Sequence, residues 1–189
     1  MFRIQVVEDT PLEPGTSKPI YTNKVKLTFK REELLYDIKN LVFVEGDVMP
    51  TTDEHDRHQV MDIAEDGNID RISRIISLVI SSIREMLYPY TKLDVDKEEQ
   101  RDDTLEAPEE YTINLKVPKD FSKTTIDFLE KLIHEFIVYK VLVDWLSITD
   151  LKNSTAVQNW AAKAEDIKDE INSTLYARMR RVRRRLEPL

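Results

Sequence analysis

Along the last third of the chain, apolar residues return at helical spacing: Val157, Trp160, Ala164, Ile167, Ile171, Leu175, Met179, Val182 and Leu186. Such a stripe fits one face of a continuous α-helix and no strand, so it constrains the fold more than any other feature. The same stretch ends in six arginines, Arg178, Arg180, Arg181, Arg183, Arg184 and Arg185. A helix of about 30 residues is about 45 Å long. A compact domain of this chain length has a radius of gyration of about 16 Å, so the helix is expected to cross the whole body with its arginine end protruding. The stripe calls for a covering surface, expected to be another polypeptide. The guanidinium groups call for carboxylates or phosphates.

Two further helices are expected. One starts at Asn68 as N-cap and ends near Tyr88, before Pro89, on the stripe Ile69, Ile72, Ile76, Val79, Ile83, Met86. Ile75, Leu78 and Ile80 widen that stripe and predict burial on more than one side. The other runs from Ser122 or Thr124 to Ile148, with Ile126, Leu129, Ile133, Phe136, Ile137, Val141 and Leu142 inward and Phe128, Leu132, Val138, Val143, Trp145 and Leu146 covering much of the rest. Asn153 or Ser154 caps the C-terminal helix. Strands are read at 2–7, 24–29 and 111–117 from alternation, with Leu41–Val44 as a fourth stopped by Gly46. Thr51–Asp66 reads as polar and irregular.

The fold expected is therefore mainly α: a three-helix core with a long C-terminal helix, plus a small antiparallel β element from the N-terminal region and residues 111–117. One domain covers 1–189. Within it, 1–50 is a β-rich part, 51–93 a loop and the first helix, 94–110 an acidic linker, and 111–189 a strand and two long helices.

Composition narrows the chemistry. Three glycines leave almost no material for a phosphate-cradling loop, and the absence of cysteine removes disulfides, thiolate metal sites and thiol nucleophiles. The N-terminus lacks the pattern of a signal peptide, and no apolar run reaches the roughly 18–20 residues of a membrane span, so a soluble, cytoplasmic protein without membrane contact is expected. Charge is polarised. Asp94–Glu110 carries nine acids against two bases, whereas Arg178–Leu189 carries six arginines against Glu187. The two could attract each other across a symmetric interface.

Candidate catalytic or metal sites each have a plainer reading. His55 and His58 with Asp56 could hold a divalent metal on one helical turn, but Arg57 lies between them and no second histidine pair exists. Asp62–Asp70 resembles a calcium loop in part, yet Ala64 and Ser73 stand where oxygen ligands belong. His134–Glu135 opens like a zinc-protease helix, with Val138 in place of the second histidine. No catalytic residue, cofactor or metal is expected, and the chain reads as an assembly component rather than an enzyme.

Several strings taken together point further. They are Phe43-Val-Glu45-Gly46-Asp47-Val-Met49, Asp53-Glu-His55-Asp-Arg57-His58-Gln59-Val60, Asp66-Gly67-Asn68-Ile-Asp70-Arg71, Leu87-Tyr88-Pro89-Tyr90-Thr91-Lys92, His134-Glu135-Phe-Ile-Val138, Asp144-Trp145-Leu-Ser147-Ile-Thr149 and the tail Arg181-Val-Arg-Arg-Arg-Leu186. Across about residues 43–186 the chain resembles the neck proteins of tailed bacteriophages of gut Bacteroidetes, including crAss-like phages, and more broadly the helical head–tail connector proteins that form a ring beneath the portal. Residues 1–42 are not features of the minimal helical connector.

The resemblance implies a structural virion protein made in the host cytoplasm. It would form a homo-oligomeric ring matched to portal symmetry and contact the portal and an adjacent neck or tail ring protein. DNA would pass through its channel without specific binding. Partner-binding residues expected on this reading are Trp145, Trp160, Arg178, Arg180, Arg181, Arg183, Arg184 and Arg185, with the tryptophans as anchors or core. The alternative is a nucleic-acid-binding accessory protein that grips DNA with the arginine tail; a weaker one is a small metal enzyme using His55, His58 and Asp56.

Overall fold

A computed structural model of the chain describes residues 3–5, 22–49, 54–88, 90–91, 107–118, 121–149 and 154–179. Strand β1 (Arg3–Gln5) and strand β2 (Thr22–Lys30) lead into helix α1 (Arg31–Val48) and helix α2 (Glu54–Met61). A 3-10 turn (Asp62–Ala64) precedes helix α3 (Asp66–Met86). Strand β3 (Glu110–Pro118), helix α4 (Lys123–Thr149) and helix α5 (Ser154–Met179) follow. The protein is mainly α-helical, with a long C-terminal helix and a small antiparallel sheet ordered β1-β2-β3.

Alternation decides the sheet. Val25, Leu27 and Phe29 of β2 lie opposite Leu115, Ile113 and Tyr111 of β3, and all six are buried on one face. Val117 extends that face. The polar positions between them face outward, so the sheet forms one wall of the core. Tyr111 reaches across to donate its hydroxyl to the Ser73 carbonyl of α3 at 3.3 Å, and burial pushes its ionisation upward. Arg84 of α3 donates to the Thr112 carbonyl at 2.7 Å, fixing α3 against β3.

α4 is the centre. Ile126, Leu129, Leu132, Ile133, Phe136, Ile137, Val138, Val141, Leu142, Trp145 and Leu146 are all buried, which covers most of its circumference. α1, α2, α3 and α5 pack around it, and their apolar residues join those of the sheet in one continuous core. Polar ties span the seams: the Nε2–H of His134 donates to Asp37 at 2.8 Å, joining α4 to α1, and Arg57 pairs with Asp47 at 2.8 Å, joining α2 to α1.

Several expectations need correction. Leu41–Val44 is not a strand, and residues 31–48 are not part of a β-rich region: one helix passes through them, with Val42 inward and Phe43 and Val44 outward. A run of four apolar residues carries no period of its own, and the inward stripe Leu34, Ile38, Val42 resolves it as helix. Gly46 does not stop this helix. It lies buried inside it, and a Cβ there would sit 2.8 Å from Met61 Cγ and Cε, so the missing side chain lets α1 and α2 approach closely.

The segment read as irregular, Thr51–Asp66, contains α2 and the 3-10 turn from Glu54 onward. Asn68 is not the cap of α3, which starts at Asp66 behind Glu65. Its amide instead donates back to the Asp62 carbonyl at 2.8 Å, closing the preceding turn. The broad apolar cover of α3 does not mean burial on several sides: Ile72, Ile76, Val79, Ile80 and Ile83 face inward, but Leu78 is exposed.

Overpacking a close helix contact costs about 1–3 kcal/mol. Gly46→Val is therefore expected to lower the unfolding free energy by about 2 kcal/mol in urea titration. Adding Met61→Ala should recover part of that loss, as expected for two residues in direct contact; an additive double mutant would show that Gly46 is not a packing glycine.

Candidate docking interface

The expected partner anchors divide sharply. Trp145 of α4 is 5% exposed, and its Nε1–H donates to the Val60 carbonyl at 2.8 Å. Trp160 of α5 is 7% exposed, and its Nε1–H donates to Glu45 Oε1 at 2.8 Å. The Tyr139 ring tilts against Trp160 at 5.2 Å, and Lys163 Nζ caps the indole at 3.8 Å. Both indoles are buried and hydrogen-bonded within the chain. They pack in the core, tying α2 to α4 and α1 to α5, in line with the core half of the expectation.

The stripe of α5 calls for a correction. Ala156, Trp160, Ala164, Ile171 and Leu175 are buried, and Val157 and Ile167 are half-buried, against the chain's own α4. The covering polypeptide is this one as far as Leu175. Glu165 stitches the seam, accepting from Lys140 of α4 at 3.2 Å and from its neighbour Lys168. These bonds hold its carboxyl below the usual glutamate range, so the small stability they give is present at neutral pH and lost as pH falls through that lowered value.

α4 and α5 run antiparallel in a definite register. Tyr139 stands beside Trp160 and Lys140 beside Glu165. At equal rise per residue, Met179 falls level with about the first turn of α4. Beyond that point α4 offers no further surface. Arg178 lies in the last turn of α5, and Arg180, Arg181, Arg183, Arg184 and Arg185 lie outside the described residues. The apolar spacing nonetheless continues in the sequence through Val182 and Leu186.

A different face is left uncovered. Tyr36, Phe43, Val44 and Val48 of α1 are 56–78% exposed. At 100° per residue they fall within an arc of roughly 140°, opposite the buried stripe Leu34, Ile38, Val42. Asn40 and Asp47 share this arc and are also exposed. These residues were missed because Leu41–Val44 was read as a strand. The signal was present in the helical spacing of Leu34, Ile38 and Val42, which places Phe43 and Val44 outside. An open groove of about 500 Å³ lies where α1 ends and α5 begins, lined by Glu45, Thr155, Asn159, Trp160 and Lys163 among others.

The histidines do not converge. His55 and His58 are exposed on α2, His55 bonded to Gln59 at 3.2 Å, whereas His134 serves the α1–α4 seam. Among the described residues, no three His, Asp or Glu side chains are grouped to hold a metal ion. No described helix is long and apolar enough to cross a membrane. Compared with protein-family models, curated proteins and solved structures, the chain matches none.

Hydrogen bonds to charged groups contribute about 1.5–3 kcal/mol. Trp160→Phe strands the Glu45 carboxylate and should lower the unfolding free energy of the isolated chain by about 2 kcal/mol. Unaltered stability in that variant would return Trp160 to the role of an external anchor.

Proposed function

We propose that this chain is a structural virion protein, a subunit of an oligomeric neck ring that joins portal to tail around a DNA channel. The observation that carries the assembly part of this reading is the exposed apolar face of α1. Tyr36, Phe43, Val44 and Val48 share one exposed arc of the helix with Asn40 and Asp47, and apolar residues grouped in this way mark an interaction surface more often than solitary exposed residues do. The neck part rests on the resemblance of residues 43–186.

A ring requires a heterologous contact, in which one surface meets a different surface of the next copy. The α1 face supplies one surface. The arginine tail, which in sequence bears Met179, Val182 and Leu186 between its charges, would supply an amphipathic partner segment. Arginine with interleaved apolar residues suits a protein groove at the portal or in a neighbouring subunit. The net charge of −8 suits a channel through which DNA passes without adhering.

Two variants separate these surfaces. Phe43→Ser with Val44→Ser should abolish self-association, read as the mass of the particle in solution, while changing monomer stability by no more than about 0.5 kcal/mol. Undiminished association would remove α1 from the interface. Replacing Arg180, Arg181, Arg183, Arg184 and Arg185 by serine should preserve the helical circular dichroism and abolish assembly with the portal. Should the parent chain instead bind duplex DNA with a steep log-linear salt dependence that this variant lacks, the nucleic-acid reading replaces the neck reading.

A further inference from the structure

The outward face of the sheet carries a lysine cluster at one end, while at the other end the exposed Lys30 and Glu110 lie opposite each other. Lys24, Lys26 and Lys116 are exposed on it, and none forms an ion pair with a described carboxylate. Register places Lys24 directly opposite Lys116, and Arg3 of β1 directly opposite Lys26. The backbone N–H of Lys116 donates away from β2, to the Tyr90 carbonyl at 2.9 Å. Lys24 and Lys116 therefore form a non-hydrogen-bonded pair, the arrangement in which opposed Cα atoms lie only about 4.5 Å apart. Like charges directly opposite one another destabilise a sheet. In a chain of net charge −8, a cluster of cations with no ion-pair partner among the described residues calls for an anion.

The same hydrogen bond shows where an anion is tethered. Tyr90 lies against Lys116 at the edge of β3, and the chain re-enters the described structure at Ala107, leading to Glu110 at the other end of that strand. Between them, Asp94–Glu106 holds seven acids, Asp94, Asp96, Glu98, Glu99, Asp102, Asp103 and Glu106, against Lys97 and Arg101. The far end is pinned where the Arg31 N–H donates to the Glu109 carbonyl at 2.9 Å. Lys116 and Glu110 are separated by about 20 Å of strand. The intervening segment reaches at least twice that when extended, enough to cross the sheet face and return. Tethered at both ends of the strand that carries Lys116, it has an effective concentration that a free polyanion would have to exceed.

We propose that the lysine face of the sheet is the docking surface for this chain's own acidic segment, Asp94–Glu106. The contact is intramolecular and holds whether or not the protein assembles into a ring. It neutralises the opposed lysines and removes the acidic run as a partner for the arginine tail.

The absence of cysteine makes the test direct. A nitroxide on Gln100→Cys replaces an uncharged residue at the middle of the segment. At low salt, the amides of Lys24, Lys26 and Lys116 should lose most of their intensity. The effect should fall away at about 1 M salt, where the Debye length shrinks to about 3 Å. It should fall away equally at low salt in Lys24→Gln/Lys26→Gln/Lys116→Gln.

Tethering without docking predicts broadening that neither salt nor the lysine variant changes, and that result would overturn the proposal. Broadening seen only when spin-labelled chain is mixed with isotope-labelled, spin-free chain would assign the contact to a second copy and overturn it too. A short DNA duplex provides the remaining arm. An occupied face should bind it several-fold more weakly in the parent chain than in a variant with the seven carboxylates replaced by their amides. Equal binding would mean that the face is open and serves nucleic acid.

Discussion

A helix that is apolar around most of its circumference must be wrapped, and α4 imposes that requirement on the rest of this protein. From Ile126 to Leu146 it presents buried residues in nearly every direction. No single neighbour can cover such a helix. The sheet closes the core on one side, α3 is fixed to that sheet, and α1, α2 and α5 pack around α4 itself. The indole of Trp145 shows how completely it is enclosed: even its one polar atom finds a partner inside, the Val60 carbonyl at 2.8 Å.

That requirement determines which surfaces remain for other molecules. α5 has one narrow apolar face, and α4 takes all of it up to Leu175. α1 has two apolar arcs, of which α4 and α2 take only one. An exposed tyrosine, phenylalanine and two valines on a helix otherwise anchored by Trp160–Glu45, Arg57–Asp47 and His134–Asp37 gain nothing for the monomer. Their cost is an exposed apolar surface, and it is on this surface that the proposed assembly rests.

Legibility in the sequence followed periodicity. The strands around Leu27 and Ile113 and the helices around Ile76, Ile133 and Ala164 were readable because one period persisted long enough to exclude the others. α1 was not, since Leu41–Val44 is apolar at every position and the eye stops at Gly46. α2 was hidden for the opposite reason: Glu54–Met61 is almost wholly polar, and its helical state depends on Val60 and on the approach that Gly46 permits, which is tertiary information. The tryptophans exposed a deeper limit. A Trp on an amphipathic stripe looks identical in sequence whether its stripe meets its own chain or another, because periodicity reports that a face is covered and not by what.

Charge resolves part of what periodicity leaves open. The chain has one acidic run and two basic regions, the sheet face and the C-terminal tail, so the acids cannot serve both. Lys116 lies beside the point where the acidic run departs, whereas α5 ends level with the first turn of α4. On the proposed docking, the short tether assigns the acids to the lysines rather than to the arginines. In the sequence the arginine cluster adjoins Met179, Val182 and Leu186, which continue the apolar spacing of α5. On the proposed neck reading, one external groove, acidic at its rim and apolar at its floor, would suit both kinds of residue.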